Sequence, residues 1–244
     1  MPRYFIEVSY KGTNYSGFQI QQNANTIQAE VEKALHTYFR IPISLTGSSR
    51  TDAGVHAQQN FFHFDSDTIS PENCTKAVYH LNAILPIDIV VKSITPVSPG
   101  AHCRFDALSR TYQYQIYQFK NPFMNEVAYY YPYKLQLHNM QQAAQLLLQY
   151  SDFESFAKKH NQAHTNICTI LQSNWEQTAI SIQYNVTANR FLRGMVRGLV
   201  GTMLKVGRGA CTVADFQKII ESKNPSKTDF STPPQGLTLM NVNF

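Results

Sequence analysis

The feature that most restricts what this chain can fold into is the switching of hydrophobic period along its first 95 residues. Residues 3–10 (Arg-Tyr-Phe-Ile-Glu-Val-Ser-Tyr) alternate as a strand does and run into the turn-forming Lys11-Gly12-Thr13-Asn14. Ile27, Val31, Leu35 and Tyr38 then share one face of a helix, which Asn25 and Gln28 open in the manner of a capping box. Residues 43–46 and 57–64 read as strands on either side of the loop Gly47-Ser48-Ser49-Arg50-Thr51-Asp52-Ala53-Gly54. Ser70-Pro71 starts a second helix that runs to about Ile84, and residues 87–94 form a strand. The order is β-α-β-β-α-β.

That order is the split βαβ arrangement of ferredoxin-like folds, and the rest of the chain repeats it loosely. Residues 96–100 are the best linker. Strand-like 110–119 carries Tyr112 and Tyr114 on one face. Residues 140–150 are helical, 167–176 and 179–188 form a hairpin, and 189–206 and 213–222 are helices before a last strand at 237–242. The expected fold is α+β, with two ferredoxin-like (RRM-like) halves at 1–95 and 96–244.

Composition narrows the partners. Of 244 residues, 21 are Lys or Arg and 16 are Asp or Glu, a net charge of +5. The charged total of 37 is matched by 20 Gln and 17 Asn, so any cluster of arginines stands out against a neutral surface. The positive balance favours a polyanion weakly. The N-terminus lacks an apolar leader, and the longest apolar run, 191–206, is interrupted by Arg193, Arg197 and Lys205. Cys74, Cys103, Cys168 and Cys211 contain no Cys-x-x-Cys pair, so neither a disulfide framework nor a zinc knuckle is expected, and a reducing cytoplasm fits.

Three clusters could carry chemistry. In Arg50-Thr51-Asp52-Ala53-Gly54-Val55-His56-Ala57, Asp52 is either a turn former or a functional acid. Arg50, two residues away on an extended stretch, would hold it ionised, which suits a nucleophile or base. A metal reading draws on Asp52, His56, His63 and Asp65, with a structural His56 as its rival. The second cluster, Arg104-Phe105-Asp106 to Arg110-Thr111-Tyr112, sets aromatics beside arginines. That is either strand packing or a platform for an unpaired base. In the third, a helix over 189–206 would place Arg190, Arg193 and Arg197 within about 60° of arc. No acid occurs between Glu176 and Asp215, so these arginines need an anion from elsewhere, phosphate or Asp52.

These residues resemble the TruA family of tRNA pseudouridine synthases. The likeness covers Tyr10-Lys11-Gly12-Thr13-Asn14-Tyr15-Ser16-Gly17-Phe18-Gln19, the Arg50–Ala57 octet and Leu81-Asn82-Ala83-Ile84-Leu85-Pro86. It continues through Arg104-Phe105, Tyr112-Gln113-Tyr114, Asp152-Phe153-Glu154-Ser155-Phe156, Phe191-Leu192-Arg193-Gly194-Met195-Val196-Arg197 and Pro234-Gln235-Gly236-Leu237. The resemblance implies conversion of uridine to pseudouridine at positions 38–40 of the tRNA anticodon arm. It also implies a homodimer without metal or organic cofactor, with a basic cleft between the two halves. By motif, Asp52 is the catalytic aspartate and Arg197 its partner, and Arg50 helps displace the target base. Tyr112 packs on that base, and Gln19 lies in a tRNA-contacting loop; Arg104, Arg110 and Arg193, from the second and third clusters, are the further candidates for binding substrate.

The chain departs from the family pattern in places. Ser49 stands where Gly is usual and would be strained if its φ were positive. Phe18 replaces Trp, Lys11 replaces Asp, and Phe-His-Ala-Arg becomes Ala101-His102-Cys103-Arg104. These changes fit a divergent paralogue with altered RNA preference. The rival readings are a non-catalytic RNA-binding descendant and a metal-dependent phosphoesterase built on Asp52, His56, His63 and Asp65.

Overall fold

The structure is a computed structural model that describes residues 1–158 and 164–244. It is mixed α+β, with nine strands and five α-helices among the described residues. They fall into two compact units, residues 1–108 with 239–244, and residues 109–238.

The first unit contains β1 (Arg3–Tyr10), α1 (Ile27–Phe39), β2 (Thr46–Gly47), β3 (His56–Asp65), α2 (Pro71–Ile84) and β4 (Ile89–Val97). Its strands are ordered β4-β1-β3, all antiparallel, with the short β2 also paired to β3. Alternation in β1 buries Tyr4, Ile6, Val8 and Tyr10, and β3 adds Asn60, Phe62 and Phe64. The buried stripes of α1 (Ile27, Val31, Ala34, Leu35) and α2 (Cys74, Ala77, Leu81) complete this core. Asn82 pins α2 to β4: its amide gives and takes a hydrogen bond with the Val91 backbone, both 2.8 Å.

The cap of α1 falls one residue later than expected. Thr26, not Asn25, is the N-cap and accepts from the Ala29 N–H. Gln28 instead donates to Glu32 and to the Leu45 carbonyl, tying the helix to the chain that leads into β2. The expected boundary after residue 95 lies inside β4. Pro96 is tolerated there because β4 is an edge strand, where one backbone N–H can be spared.

The second unit contains β5 (Ser109–Tyr117), β6 (Tyr129–Tyr130), α3 (Leu137–Leu146), β7 (Ile170–Gln177), β8 (Ile182–Ala188), α4 (Met195–Gly207) and α5 (Val213–Glu221). The last strand, β9 (Leu237–Asn243), has its residues from Leu239 onward in the first unit. There the Val242 N–H reaches the Gln59 side chain at 3.0 Å. In the second unit the order is β5-β8-β7, antiparallel, with β6 parallel to β5. A capping box of Thr212 and Asp215 opens α5.

One helix corrects the sequence expectation. It was expected from residue 189, but β8 runs to Ala188 and α4 starts only at Met195, after Gly194 at φ +72°. Arg190 and Arg193 therefore precede the helix, and the three-arginine arc does not form. The helix itself is buried nearly all round: a Cβ on Gly201 would collide with the Asp229 carbonyl, and buried Thr202 bonds the Gly198 carbonyl at 2.8 Å.

Phe62 is fully buried and stacks on Phe18 with centroids 4.5 Å apart. Phe62→Ala should cost about 3–5 kcal/mol in urea denaturation, whereas the half-buried Phe61→Ala should cost clearly less. Equal losses would mean that this face of β3 is not the core.

Candidate active site

The loop 48–55 that carries Asp52 is fixed at almost every other residue. Ser48 N–H donates to the Phe61 carbonyl at 2.8 Å. Thr51 is buried, with its hydroxyl 2.8 Å from that of Tyr10. Asn60, wholly buried on β3, donates to the Tyr10 hydroxyl at 3.1 Å and to the Ser49 carbonyl at 2.8 Å. The Val55 N–H closes a turn onto the Asp52 carbonyl at 3.1 Å, with Gly54 at φ +77°. Asp52 is thus a turn residue through its backbone, and that role uses no carboxylate oxygen. Its side chain is half-buried, between buried Thr51 and Val55, and Arg50 is exposed.

A second segment, residues 10–19, lies directly on this loop. The Gly12 N–H donates to His56 Nδ1 at 2.9 Å, and a Cβ on Gly12 would collide with the Val55 carbonyl. The Phe18 N–H donates to the Thr51 carbonyl at 3.1 Å. Gly17, at φ +107°, brings its Cα so near that an added Cβ would stand 3.1 Å from the Thr51 carbonyl oxygen. Lys11 N–H and the Tyr15 hydroxyl both bond Asp88, tying the segment to the start of β4. Gln19 follows, exposed. Phe18 is 1% exposed, with Gly47 beneath its ring, so the Trp-to-Phe departure changes packing. Ser49 is absent from the positive-φ residues, so it carries no left-handed strain.

In the second unit, Tyr112 on β5 is buried and meets Phe191 edge to face, centroids 5.1 Å apart. Neighbouring Tyr114 is wholly buried, its hydroxyl on the Pro233 carbonyl at 2.7 Å. Burial pushes that phenol far above its ordinary range, so it stays neutral. Arg110 donates to the Asn189 carbonyl at 3.0 Å, just beyond the end of β8. Arg197, on the first turn of α4, is half-buried and clamped: its Nε and Nη2 both donate to the Thr232 carbonyl, at 2.8 and 2.6 Å. The Thr232 hydroxyl returns a bond to the Arg197 carbonyl at 2.8 Å. Arg193 is exposed, and Arg104 lies in the first unit with its guanidinium 5.8 Å above the Phe105 ring.

The structure thus groups Arg50, Asp52 and the residue 10–19 segment in one unit, and Arg110, Tyr112 and Phe191 in the other. Sequence patterning does not single out Asn60 or Thr232. Asn60 shares the buried phase of Phe62 and Phe64, and a polar residue in that phase is a readable signal. Thr232 has none, because its part is played mostly by its backbone carbonyl.

Among the described residues, the four residues of the metal reading do not form one metal-competent cluster. His56 Nδ1 accepts from Gly12, and Asp65 forks onto Arg3 at 2.7 and 2.8 Å, which lowers its pKa. His63 lies beside Cys103 and His102; burial, then the charges of His102 and Arg3, push it down to about 4.

Comparison with known proteins places the chain. The sequence pattern of a tRNA pseudouridine synthase family matches residues 6–106 and 143–244. A tRNA pseudouridine synthase A from Azobacteroides pseudotrichonymphae is 42% identical over 245 residues, covering 100% of this chain and 97% of that protein. One from Bacteroides fragilis is 45% identical over 99% of this chain and 96% of its own length. One from Staphylococcus aureus strain Newman is 37% identical over 98% and 90%. A solved putative M16-like peptidase from Alicyclobacillus acidocaldarius aligns at 10% identity over 98% of this chain and 92% of its own, with a TM-score of only 0.19. The relatives define the class as an RNA-modifying isomerase. The chain belongs to the tRNA pseudouridine synthase family, whose reaction is the isomerisation of uridine in tRNA.

Asn60→Ala should leave the Tyr10 hydroxyl and the Ser49 carbonyl short of a donor, costing about 1–3 kcal/mol. It should also slow single-turnover isomerisation at temperatures where the variant remains folded, with tRNA affinity kept. Lost stability with an unchanged rate would make Asn60 merely a core residue.

Proposed function

We propose that this enzyme isomerises uridines 38–40 in the tRNA anticodon arm, with Asp52 as the catalytic carboxylate. The observation that carries the reading is the loop itself. Residues on both sides of Asp52 are held by buried hydrogen bonds and by backbone packed against backbone, and this fixed stretch carries the family's Arg-Thr-Asp-Ala-Gly-Val-His motif. Such preorganisation is what a reacting carboxylate requires. The reaction breaks the N1–C1′ bond, turns the uracil, and joins C5 to C1′. Nothing is oxidised and no group is imported, so the chain's own residues suffice.

The roles of the other residues follow from the family likeness. Arg197 stands at the position of the arginine that the family motif assigns to the catalytic aspartate, and Thr232 holds two of its guanidinium nitrogens in place. Tyr112 holds the detached uracil by stacking, and Phe191 at its edge fixes the ring plane. Arg50 helps displace the target base, while Arg104, Arg110, Arg193 and Gln19 bind the RNA. A stem uridine must leave its helix first, which costs a few kcal/mol that backbone contacts supply. The two units are read as ferredoxin-like halves: in the first, β2 and β4 flank the central β1 and β3 as that fold requires. A cytoplasmic homodimer completes the reading. Four free cysteines suit a reducing compartment, and among the described residues no helix is long and apolar enough to cross a membrane.

Asp52→Asn should abolish tritium release from [5-³H]uridine-labelled tRNA while leaving tRNA affinity within a few-fold, because phosphate contacts supply most of the binding. Measurable turnover by this variant, free of wild-type enzyme, would remove the assignment. Tyr112→Phe should be mild, since the ring face stacks, whereas Tyr112→Ala should lose roughly 1–3 kcal/mol of stacking. Equal, small effects of both on single-turnover rate would make Tyr112 a core residue only.

A further inference from the structure

Three metal-competent side chains converge in the first unit, outside the residues assigned above to the isomerisation. His63 lies on β3 opposite Phe5 of β1 and Thr46 of β2. The turn at 101–106 folds against it and is itself well tied. Ala101 accepts from Arg3 Nη1 at 2.7 Å, Asp106 Oδ2 takes the His102 N–H at 2.7 Å, and the Asp106 N–H bonds the His102 carbonyl at 3.0 Å. This brings the donor atoms of His63, His102 and Cys103 within 4.8 Å of one another. His63 Nδ1 stands 3.2 Å from Cys103 Sγ, and the two imidazoles meet at 4.5 Å between centroids. His63 and Cys103 are buried and His102 is half-buried.

We propose that His63, His102 and Cys103 form a Zn²⁺ site that clips the 101–106 turn to the β2–β3 edge, with solvent as the fourth ligand. Zinc bonds of about 2.0–2.3 Å in tetrahedral geometry put neighbouring donors about 3.3–3.7 Å apart, so the cluster needs a contraction of roughly 1 Å. Two imidazoles and one thiolate are a borderline-soft set that suits Zn²⁺ and not Mg²⁺ or Ca²⁺. Binding exchanges the Cys103 S–H bond for S–Zn and passes the proton to solvent. It ends the thiol's 3.2 Å bond to the Thr46 carbonyl. It also ends the bonds that His102 Nδ1 accepts from the Arg104 and Phe105 N–H groups, at 3.1 and 3.3 Å. These bonds, with the 3.4 Å bond from the Cys103 N–H to His63 Nδ1, are the cost that the metal–donor bonds must outweigh. Cys103 stands where the family pattern has Ala.

The test is a Co²⁺ titration of the full-length chain, freed of metal by chelation under reducing conditions. One equivalent should produce tetrahedral d–d absorption and a thiolate-to-cobalt charge-transfer band, both bleached by one equivalent of Zn²⁺. Cys103→Ala carries the family's residue, and circular dichroism will show whether it folds. It should lose the charge-transfer band, while Cys211→Ala keeps it. Zn²⁺ should raise the Tm of the wild type and not of Cys103→Ala. A wild-type chain that stays colourless with Co²⁺, or a charge-transfer band that survives in Cys103→Ala, would reduce the three side chains to a hydrogen-bonded cluster.

Discussion

Close approach of two backbone segments governs the first unit. Residues 10–18 and 48–56 lie so near each other that side chains are excluded at Gly12, and Gly17 must adopt a positive φ. The Gly12 N–H donates to the His56 ring nitrogen and the Phe18 N–H to the Thr51 carbonyl, while within the loop the Val55 N–H closes onto the Asp52 carbonyl. Backbone packed on backbone has few soft degrees of freedom. Asp52 therefore takes its position from the sheet, through Tyr10 on β1 and Asn60 on β3, as well as from the turn of its own loop.

The second unit solves the same problem differently. A long arginine has far more rotamer freedom than an aspartate, and Arg197 is held at both ends. Its backbone is fixed by the first turn of α4, and its guanidinium by the Thr232 carbonyl. The chain around Thr232 is in turn packed: Tyr114 bonds Pro233, and a Cβ on Gly236 would crowd the same phenol ring, 2.6 Å from its Cζ. The terminal Pro-Gln-Gly-Leu motif is thereby explained as a support for the arginine and needs no contact with RNA.

What the sequence made legible follows from how local the cause was. β1, β3 and α2 were read nearly to the residue, because alternation and Pro at a helix start are local signals. The helix expected at 189–206 was misread at its start. Its apolar residues continue the helical period back to Phe191, while Gly194 at φ +72° breaks the backbone there, and a glycine in a sequence does not announce the sign of its φ. The Asp52 loop is found by its residue types, but its rigidity depends on Asn60 and on Tyr10, the latter 41 residues from its partner Thr51. Such contacts exist only once the sheet has formed.

Placing the departures from the family pattern changes what they mean. Phe18 is core, stacked on Phe62. Ser49 is buried with ordinary backbone, and its carbonyl serves Asn60. Cys103 is wholly buried against His63, and the Ala101 carbonyl serves Arg3. Lys11 spends its backbone N–H on Asp88 and is half-buried. By contrast, the exposed Gln19, Arg50, Arg104 and Arg193 all keep the family's residue types. Phe18, Ser49 and Cys103 are thus departures in the packed interior, where volume-tolerant repacking absorbs change. Lys11 and Ala101 are half-buried, and Lys11 changes the charge of the residue 10–19 segment, so the departures reach the surface of the first unit as well as its packing.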